Sequence, residues 1–284
     1  MMIEYWKKLI ADGEAAYENK IRDVVADFVK CEGLRAVLIA GGSCSGKTTT
    51  TKKLSEIFKE HGVNAYVVSL DDFYRSLAES VYLPDGKRDI ETVKSLRTDI
   101  MREKLVSLFN YEETSMPVFD FTQALRLDDN YKIKLEKGDI LLIEGLHALN
   151  PELLGDFFDQ YVTKKLYLYA DAGDGVDCRL VRRVVRDARH RNHMANDTFY
   201  FWDNVRKNER EAILPYRGTA DAEINTFFPF ERGILDDDAV KLLGDIPLDS
   251  PNRAEADTLI PILKIEHPIP DELVPMDSLL REFM

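Results

Sequence analysis

Apolar positions along this chain change period several times. Residues 36–40, Ala-Val-Leu-Ile-Ala, form an unbroken apolar run, the pattern of a strand buried on both faces. Val63–Leu70, Ile140–Ile143 and Leu166–Ala170 repeat it, and Ala220–Asn225 gives a shorter, more polar version that reads as an edge or core strand. Between these runs the spacing becomes helical. Ile21, Val24, Val25, Phe28 and Val29 share one face ahead of Gly33, and Thr48–Glu60 is closed by Gly62. Thr92–Asn110 carries Val93, Leu96, Ile100, Leu105 and Leu108 on one face, and Thr198–Ala212 continues the series. Pro151 marks a further helix start, because its missing N–H is not needed there. Strands alternating with helices need crossovers between parallel neighbours, so the pattern predicts an α/β layered fold around a mostly parallel sheet. Residues 75–135 hold no strand run of comparable strength, and Leu259–Ile265 reads as a late strand.

The first apolar run passes directly into Gly41-Gly42-Ser43-Cys44-Ser45-Gly46-Lys47-Thr48, followed by Thr49. This is the G-x-x-x-x-G-K-[ST] spacing, set between a predicted strand and a predicted helix. Glycine lets the backbone turn tightly and aim its N–H groups at phosphate oxygens, while the helix adds unpaired N–H groups and the positive end of its dipole. Residues 41–49 therefore read as the binding loop for a nucleoside triphosphate, with Lys47 on the β- and γ-phosphates and the Thr48 hydroxyl on Mg2+. Carboxylates close two further strands: Asp71 and Asp72 after Val63–Leu70, and Glu144 after Ile140–Ile143. Ligands gather at the carboxyl ends of parallel strands. Glu144 is accordingly expected on the metal, and the Asp pair either on the metal or at the proton of an attacking hydroxyl. Cys44, inside the loop, is expected to be open to alkylation and shielded by MgATP.

Charge sharpens this picture. Lys and Arg total 38 against 51 Asp and Glu, a formal net charge of −13, which argues against nucleic acid or an anionic membrane as partner. Within so acidic a chain, Arg179, Arg182, Arg183 and Arg186 fall at i, i+3, i+4 and i+7 on one helix face, with Arg189 and Arg191 beyond and Asp187 alone opposing. Such crowding predicts a polyphosphate, because arginine pairs bidentately with phosphate oxygens. The polar link 192–197 into a second helix is the layout of a lid that shuts water out of phosphoryl transfer. His147 is read as a hydrogen-bonded structural residue. No apolar run of about eighteen residues exists to span a membrane, and the first residues lack a secretory pattern. The three cysteines, Cys31, Cys44 and Cys178, are too few and scattered for a disulfide framework, so a reduced, cytoplasmic location is expected.

In this order, the motifs resemble the uridine kinase family of small-molecule P-loop kinases, a group that includes phosphoribulokinase and pantothenate kinase. The resemblance covers about residues 34–230. Asp71–Tyr74 is similar to the family's acid–x–aromatic–Tyr element, Pro117–Phe121 to its Pro-x-Tyr-Asp-Phe motif, and Ile143–Gly145 to its metal-side strand end. Arg179–Asp187 resembles its arginine-rich lid and Ala220–Ile224 its late Ala-Asp-x-x-Ile strand, while Gly145–Pro151 and Asp277–Phe283 resemble a longer bacterial branch. The resemblance implies a P-loop NTPase three-layer sandwich with a helical lid and an N-terminal helix. Residues 1–33 would form that helix, 34–235 the kinase domain with its lid at about 183–210, and 236–284 an extension packed on it, with residues 1–33 or 236–284 the candidate contact of a homo-oligomer.

The implied chemistry is transfer of the ATP γ-phosphoryl group, with Mg2+, to a hydroxyl of a small acceptor, a uridine- or cytidine-like nucleoside. Asp71 matches the family's general base, Thr48 and Glu144 its metal side, and Arg183 and Arg186, with Arg182, the groups that close over the phosphates. Tyr74, Glu91, Phe121 and Arg126 match acceptor-side positions. The sequence departs from the family where its pocket histidine becomes Ala124, where its Asp-x-Pro-x-Ala-Phe-Asp segment becomes Glu91–Arg97, and where its Arg-Gly pair becomes Arg191–Asn192. Losing a polar contact changes recognition strongly, so a sugar, a sugar phosphate or a pantothenate-like acceptor stays open. A GTPase switch would need a guanine-reading Asp that Thr163–Leu166 lacks, and a non-catalytic ATP-binding regulator would be expected to have lost Lys47 or Asp71, both of which are present.

Overall fold

A computed structural model describes residues 2–82, 86, 89, 91–264 and 267–284. In chain order, α1 (Met2–Phe28) leads into β1 (Ala36–Gly41), α2 (Lys47–Glu60) and β2 (Ala65–Ser69). Then come α3 (Thr98–Phe109), the hairpin β3 (Thr114–Asp120) and β4 (Leu125–Ile133), β5 (Ile140–Glu144), α4 (Pro151–Phe158) and β6 (Thr163–Tyr169). The chain continues with α5 (Cys178–His190), α6 (Ala195–Asn208), α7 (Leu214–Arg217), β7 (Ala222–Asn225), α8 (Glu231–Gly244) and α9 (Arg253–Leu263). Five strands make one sheet in the order β2-β5-β1-β6-β7, every neighbour parallel. This is the α/β P-loop architecture.

Alternate residues of β1 divide the core. Val37 and Ile39 face one apolar cluster, with Ile21, Val25 and Phe28 of α1, Leu54 and Phe58 of α2, Val184 of α5, and Leu235 and Leu243 of α8. Ala36, Leu38 and Ala40 face the other, with Leu105 and Leu108 of α3, Met116 and Phe119 of β3, and Leu153 and Phe157 of α4. Helix α1 buries Ile10, Gly13, Tyr17, Ile21, Val25 and Phe28, a three- and four-residue spacing that lays one face on the sheet layer. Gly13 is needed at that face because a Cβ there would meet the Phe230 ring at 2.8 Å. Residues 236–284 join the same cluster through Ala239, Leu243, Ala256, Leu263, Leu279 and Phe283.

Four sequence expectations differ from the structure. Residues 75–135 do hold strands, the antiparallel pair β3 and β4, but β4 is exposed at most positions, so it lacks the apolar run that marks the central strands. Helix α3 begins at Thr98 rather than Thr92 because the backbone of 95–97 pairs with 73–75, Arg75 N to Ser95 O and Arg97 N to Phe73 O, each at 2.8 Å. Leu259–Leu263 is the end of helix α9 rather than a strand; Ala256, Ile260 and Leu263 pack on the core at helical spacing, and Ile265 lies outside the described residues. The helix expected over 198–212 starts at Ala195, where the Asp197 side chain accepts from the Met194 backbone N–H. It passes through one π-helical turn at Glu209–Ile213 into α7.

Candidate active site

The parallel sheet brings the carboxyl ends of β1, β5 and β2 side by side, with Ile39 opposite Glu144 and Glu144 opposite Ser69. Beyond β1 the loop turns through Cys44 at φ +59° and Gly46 at φ +77°, closes with Ser45 N–H on Gly42 O at 3.2 Å, and enters α2. Lys47 Nζ curls back to Gly42 O at 3.1 Å, so its ammonium lies across the loop mouth. The N-cap of α2 is Gly46, which offers no side chain to the first-turn N–H groups and leaves them for an anion. At Gly42 the Arg179 guanidinium and the Glu209 carboxylate occupy the place a Cβ would take, so a larger residue there would have to displace that pair.

Glu144 is buried at the end of β5, and its Oε1 accepts from Ser69 Oγ at 2.9 Å and from Thr48 Oγ1 at 3.3 Å. Burial, and then the neighbouring Asp71 charge, raise its carboxyl above the ordinary glutamate range, while Lys47 opposes. Asp71 and Asp72 lie on the 3-10 turn Leu70–Phe73 that follows β2. They separate by partner: Asp72 Oδ1 accepts from Phe119 N–H at 3.1 Å and ties the turn to β3. Asp71 instead faces the charged cleft. Burial raises it, against the pull of Lys47, Arg191, His147 and Arg186. Among the described residues no group of three or more His, Cys, Asp and Glu side chains converges as a ready-made metal site. A buried carboxylate and a hydroxyl are nonetheless the sparse oxygen set that suits Mg2+, which takes one or two protein oxygens and completes its shell from water and phosphates.

The arginine-rich face is α5. Arg183 Nη1 donates to Ser43 Oγ at 3.0 Å, and Arg183 and Arg186 share Asp187. Arg191 lies 3.8 Å from the same carboxylate and over the Phe121 ring at 5.8 Å. Arg182 departs from its expected place on the phosphates. It is fully buried, and its five N–H donors go to Glu231 Oε1 and Oε2, Thr226 Oγ1 and O, and Cys44 O. It braces the loop from behind. Cys44 departs too, being 4% exposed and so closed to alkylation. The helical pair expected as a lid is rooted in the core by Ala195, Phe199, Trp202 and Val205 of α6, and Arg179 and Arg183 lie over the Trp202 ring.

On the acceptor side Tyr74, Phe119 and Phe121 meet edge-to-face at 5.0–6.2 Å, with Phe121 54% exposed at the rim. Glu91 is buried, and burial raises its carboxyl against the field of Arg183. Arg126 is held within the hairpin: it donates to Asp128 at 2.8 Å and to Tyr74 O at 3.4 Å, with Glu79 at 3.8 Å. His147, set aside in the sequence, packs between these parts. Its Nε2 is 2.7 Å from Glu91 O, and burial holds its pKa below the usual histidine range. Position after a strand end was the only sequence signal for it.

Residues 36–228 match the model of the "Phosphoribulokinase / Uridine kinase family". Among curated proteins, the chain is 30% identical over 184 residues to uridine kinase of Anoxybacillus flavithermus, covering 64% of this chain and 82% of that one. It is 25% identical over 187 residues to uridine kinase of Halobacterium salinarum, covering 66% and 77%. A solved structure from Bacillus stearothermophilus, described as a possible uridine kinase, superposes with a TM-score of 0.50 at 18% identity over 73% of this chain and 98% of that one, which supports the fold. The chain belongs to the phosphoribulokinase/uridine kinase family and is an ATP-dependent phosphotransferase acting on an alcohol.

Proposed function

We propose that the protein transfers the γ-phosphoryl group of ATP to a hydroxyl of a nucleoside of the uridine or cytidine type. The observation that carries this is the position of Asp71: it lies within the field of Lys47, Glu144, Arg186 and Arg191 on one side, and its own turn leads into the Tyr74–Phe119–Phe121 cluster on the other. A flat base can lie against such aromatic edges, and its sugar hydroxyl then comes within reach of the carboxylate.

In this reading the amides of residues 41–49 and Lys47 hold the triphosphate, while Arg183 and Arg186 cover the transferring group. Thr48 and Glu144 would hold Mg2+, which when bound supplies charge neutralisation of the phosphates. Asp71 accepts the proton of the attacking hydroxyl. Tyr74 and Phe121 border the acceptor, and Glu91 stands behind it with His147. Most of the acceleration then comes from positioning and from cations fixed where charge develops.

A second reading keeps the chemistry and changes the acceptor to a sugar, a sugar phosphate or a pantothenate-like acid. Two observations favour it: Ala124 occupies a tight hairpin turn at φ +49° where the family places a histidine, and Arg97 is tied to Glu79 and Asp99. ADP release with MgATP over a panel of nucleosides, sugars, sugar phosphates and pantothenate-like acids decides between them. Turnover with uridine or cytidine supports the first reading, and turnover with another acceptor alone replaces it. ATP binding with no turnover across the panel would point instead to a regulatory protein.

A further inference from the structure

Outside the family-matched region, residues 277–284 run back across the phosphate loop. The segment is anchored along its length. Leu279, Leu280 and Phe283 are fully buried, Ser278 caps the short turn Leu279–Glu282, and His190 Nε2 lies 2.7 Å from Met284 O. Asp277 lies 3.5 Å from Lys53 of α2. The Arg182 guanidinium stands 4.9 Å over the Phe283 ring, and the Leu279 side chain fills the place of the missing Cβ of Gly46. From this base Glu282 reaches the opening turn of α2, where its Oε2 accepts from Thr49 Oγ1 at 2.8 Å. Its charge is also felt by Arg186 and Tyr17.

That turn is the part of the loop built to receive phosphate. A carboxylate beside the positive end of α2 is stabilising by itself. It becomes unfavourable once a triphosphate shares the same turn, because the two anions then stand close together with little water between them. The structure therefore places a resident anion beside the seat of an incoming one. It holds that anion on a strap anchored by the buried side chains of Leu279, Leu280 and Phe283 and by polar contacts at its two ends, Asp277 with Lys53 and His190 with Met284 O.

We propose that Glu282, carried by residues 277–284, is an anionic gate on the nucleotide site. It holds the first turn of α2 through Thr49 and moves aside when the triphosphate binds, so the strap sets the affinity for nucleotide. This inference rests on the ATP-dependent kinase reading, and its test keeps the two separate by measuring binding apart from turnover.

Glu282→Gln keeps an acceptor for the Thr49 hydroxyl and removes the charge. MgATP measured by calorimetry should bind this variant at least about threefold more tightly, the effect of one like charge on the order of 6 Å away even at the dielectric of water. KM for ATP should fall in parallel, while KM for the acceptor holds. Asp277→Asn, an exposed carboxylate on the same strap, should move the ATP affinity less than about twofold. In the wild-type protein, hydrogen exchange of amides 279–284 should quicken when a non-hydrolysable ATP analogue is added. Unchanged or weaker ATP binding by Glu282→Gln, or exchange slowed by the analogue, overturns the gate and makes the strap a fixed wall of the site. Wild-type protein that binds no MgATP would overturn the kinase reading itself.

Discussion

Replacing Arg182 by Met tests whether this arginine belongs to the fold or to the phosphates. Its guanidinium is 0% exposed and Glu231 is 2% exposed, so the substitution strands a buried carboxylate. Glu231 would keep only the long Phe228 N–H bond at 3.3 Å, and Thr226 O and Cys44 O would lose a charged donor. Breaking one side of a buried pair costs about 3–5 kcal/mol. For a chain of this length each kcal/mol moves Tm by about 2 °C, so Arg182→Met should unfold roughly 6–10 °C earlier. Thermal and urea denaturation measure this directly. The double variant Arg182→Met/Glu231→Gln should recover a good part of the loss, since it removes the stranded charge. MgATP affinity should also weaken, because Cys44 O is released and the loop is no longer held from behind. A variant as stable as the wild type that loses only ATP binding would refute this reasoning and return Arg182 to the phosphate ligands.

Asp71→Asn should retain MgATP binding within about threefold and lose turnover by about 10²-fold or more; near-normal turnover in a steady-state assay would remove Asp71 from the proton-transfer role. A single thiol, Cys31, should react rapidly with a chromogenic disulfide in the native protein, with all three reacting in urea, because Cys44 and Cys178 are buried and Cys31 is half-buried. A second fast thiol that MgATP protects would contradict the packing at Cys44. Burial raises Asp236 to about 6, against the opposing Arg232, so between about pH 4 and 6 the folded state holds a proton that the unfolded chain releases. Stability contributed at this site should fall as pH rises through that window, by about 3 kcal/mol at most. Urea midpoints of Asp236→Asn should therefore gain on the wild type from pH 4.5 to 7.5, and a constant difference would show that the site does not titrate there.

What could be read from the sequence was whatever is enforced by local chemistry. The phosphate loop is legible because few backbones other than a glycine-bearing turn between strand and helix can present amides to phosphate. The central strands are legible because burial on both faces demands unbroken apolar runs. Strand β4 escaped because it stands largely in solvent and is held by pairing with β3, which leaves little periodic trace. The true start of α3 escaped for a related reason: residues 95–97 are recruited by the backbone of 73–75, and nothing local records that recruitment. Arg182 shows the limit most clearly. Its helical spacing is the same as that of Arg183, but Glu231 lies 49 residues away in sequence and Thr226 lies 44 away, and only the packing of α8 and the end of β7 brings them under it. Glu282 is likewise one acid among many until the strap lays it on Thr49.

The arginine face of α5 also explains how so acidic a chain keeps a positive site. Arg182 is neutralised by its own carboxylate, Glu231, and Arg179 by Glu209; these pairs face inward and hold the loop from behind and below. Arg183, Arg186 and Arg191 instead divide a single carboxylate, Asp187. Counted over ion pairs, three cations share one anion, a local surplus at the loop mouth beside Lys47 that the nearby Asp71, Glu91 and Glu282 offset in part. Because these groups are partly withdrawn from water, that surplus is screened less than it would be on the open surface. The stripe therefore separates into matched pairs, Arg179 with Glu209 and Arg182 with Glu231, and a set that shares one carboxylate, the set to which the proposed function gives the phosphates. Residue type and spacing are the same in both, and the number of carboxylates within reach decides which role each arginine takes.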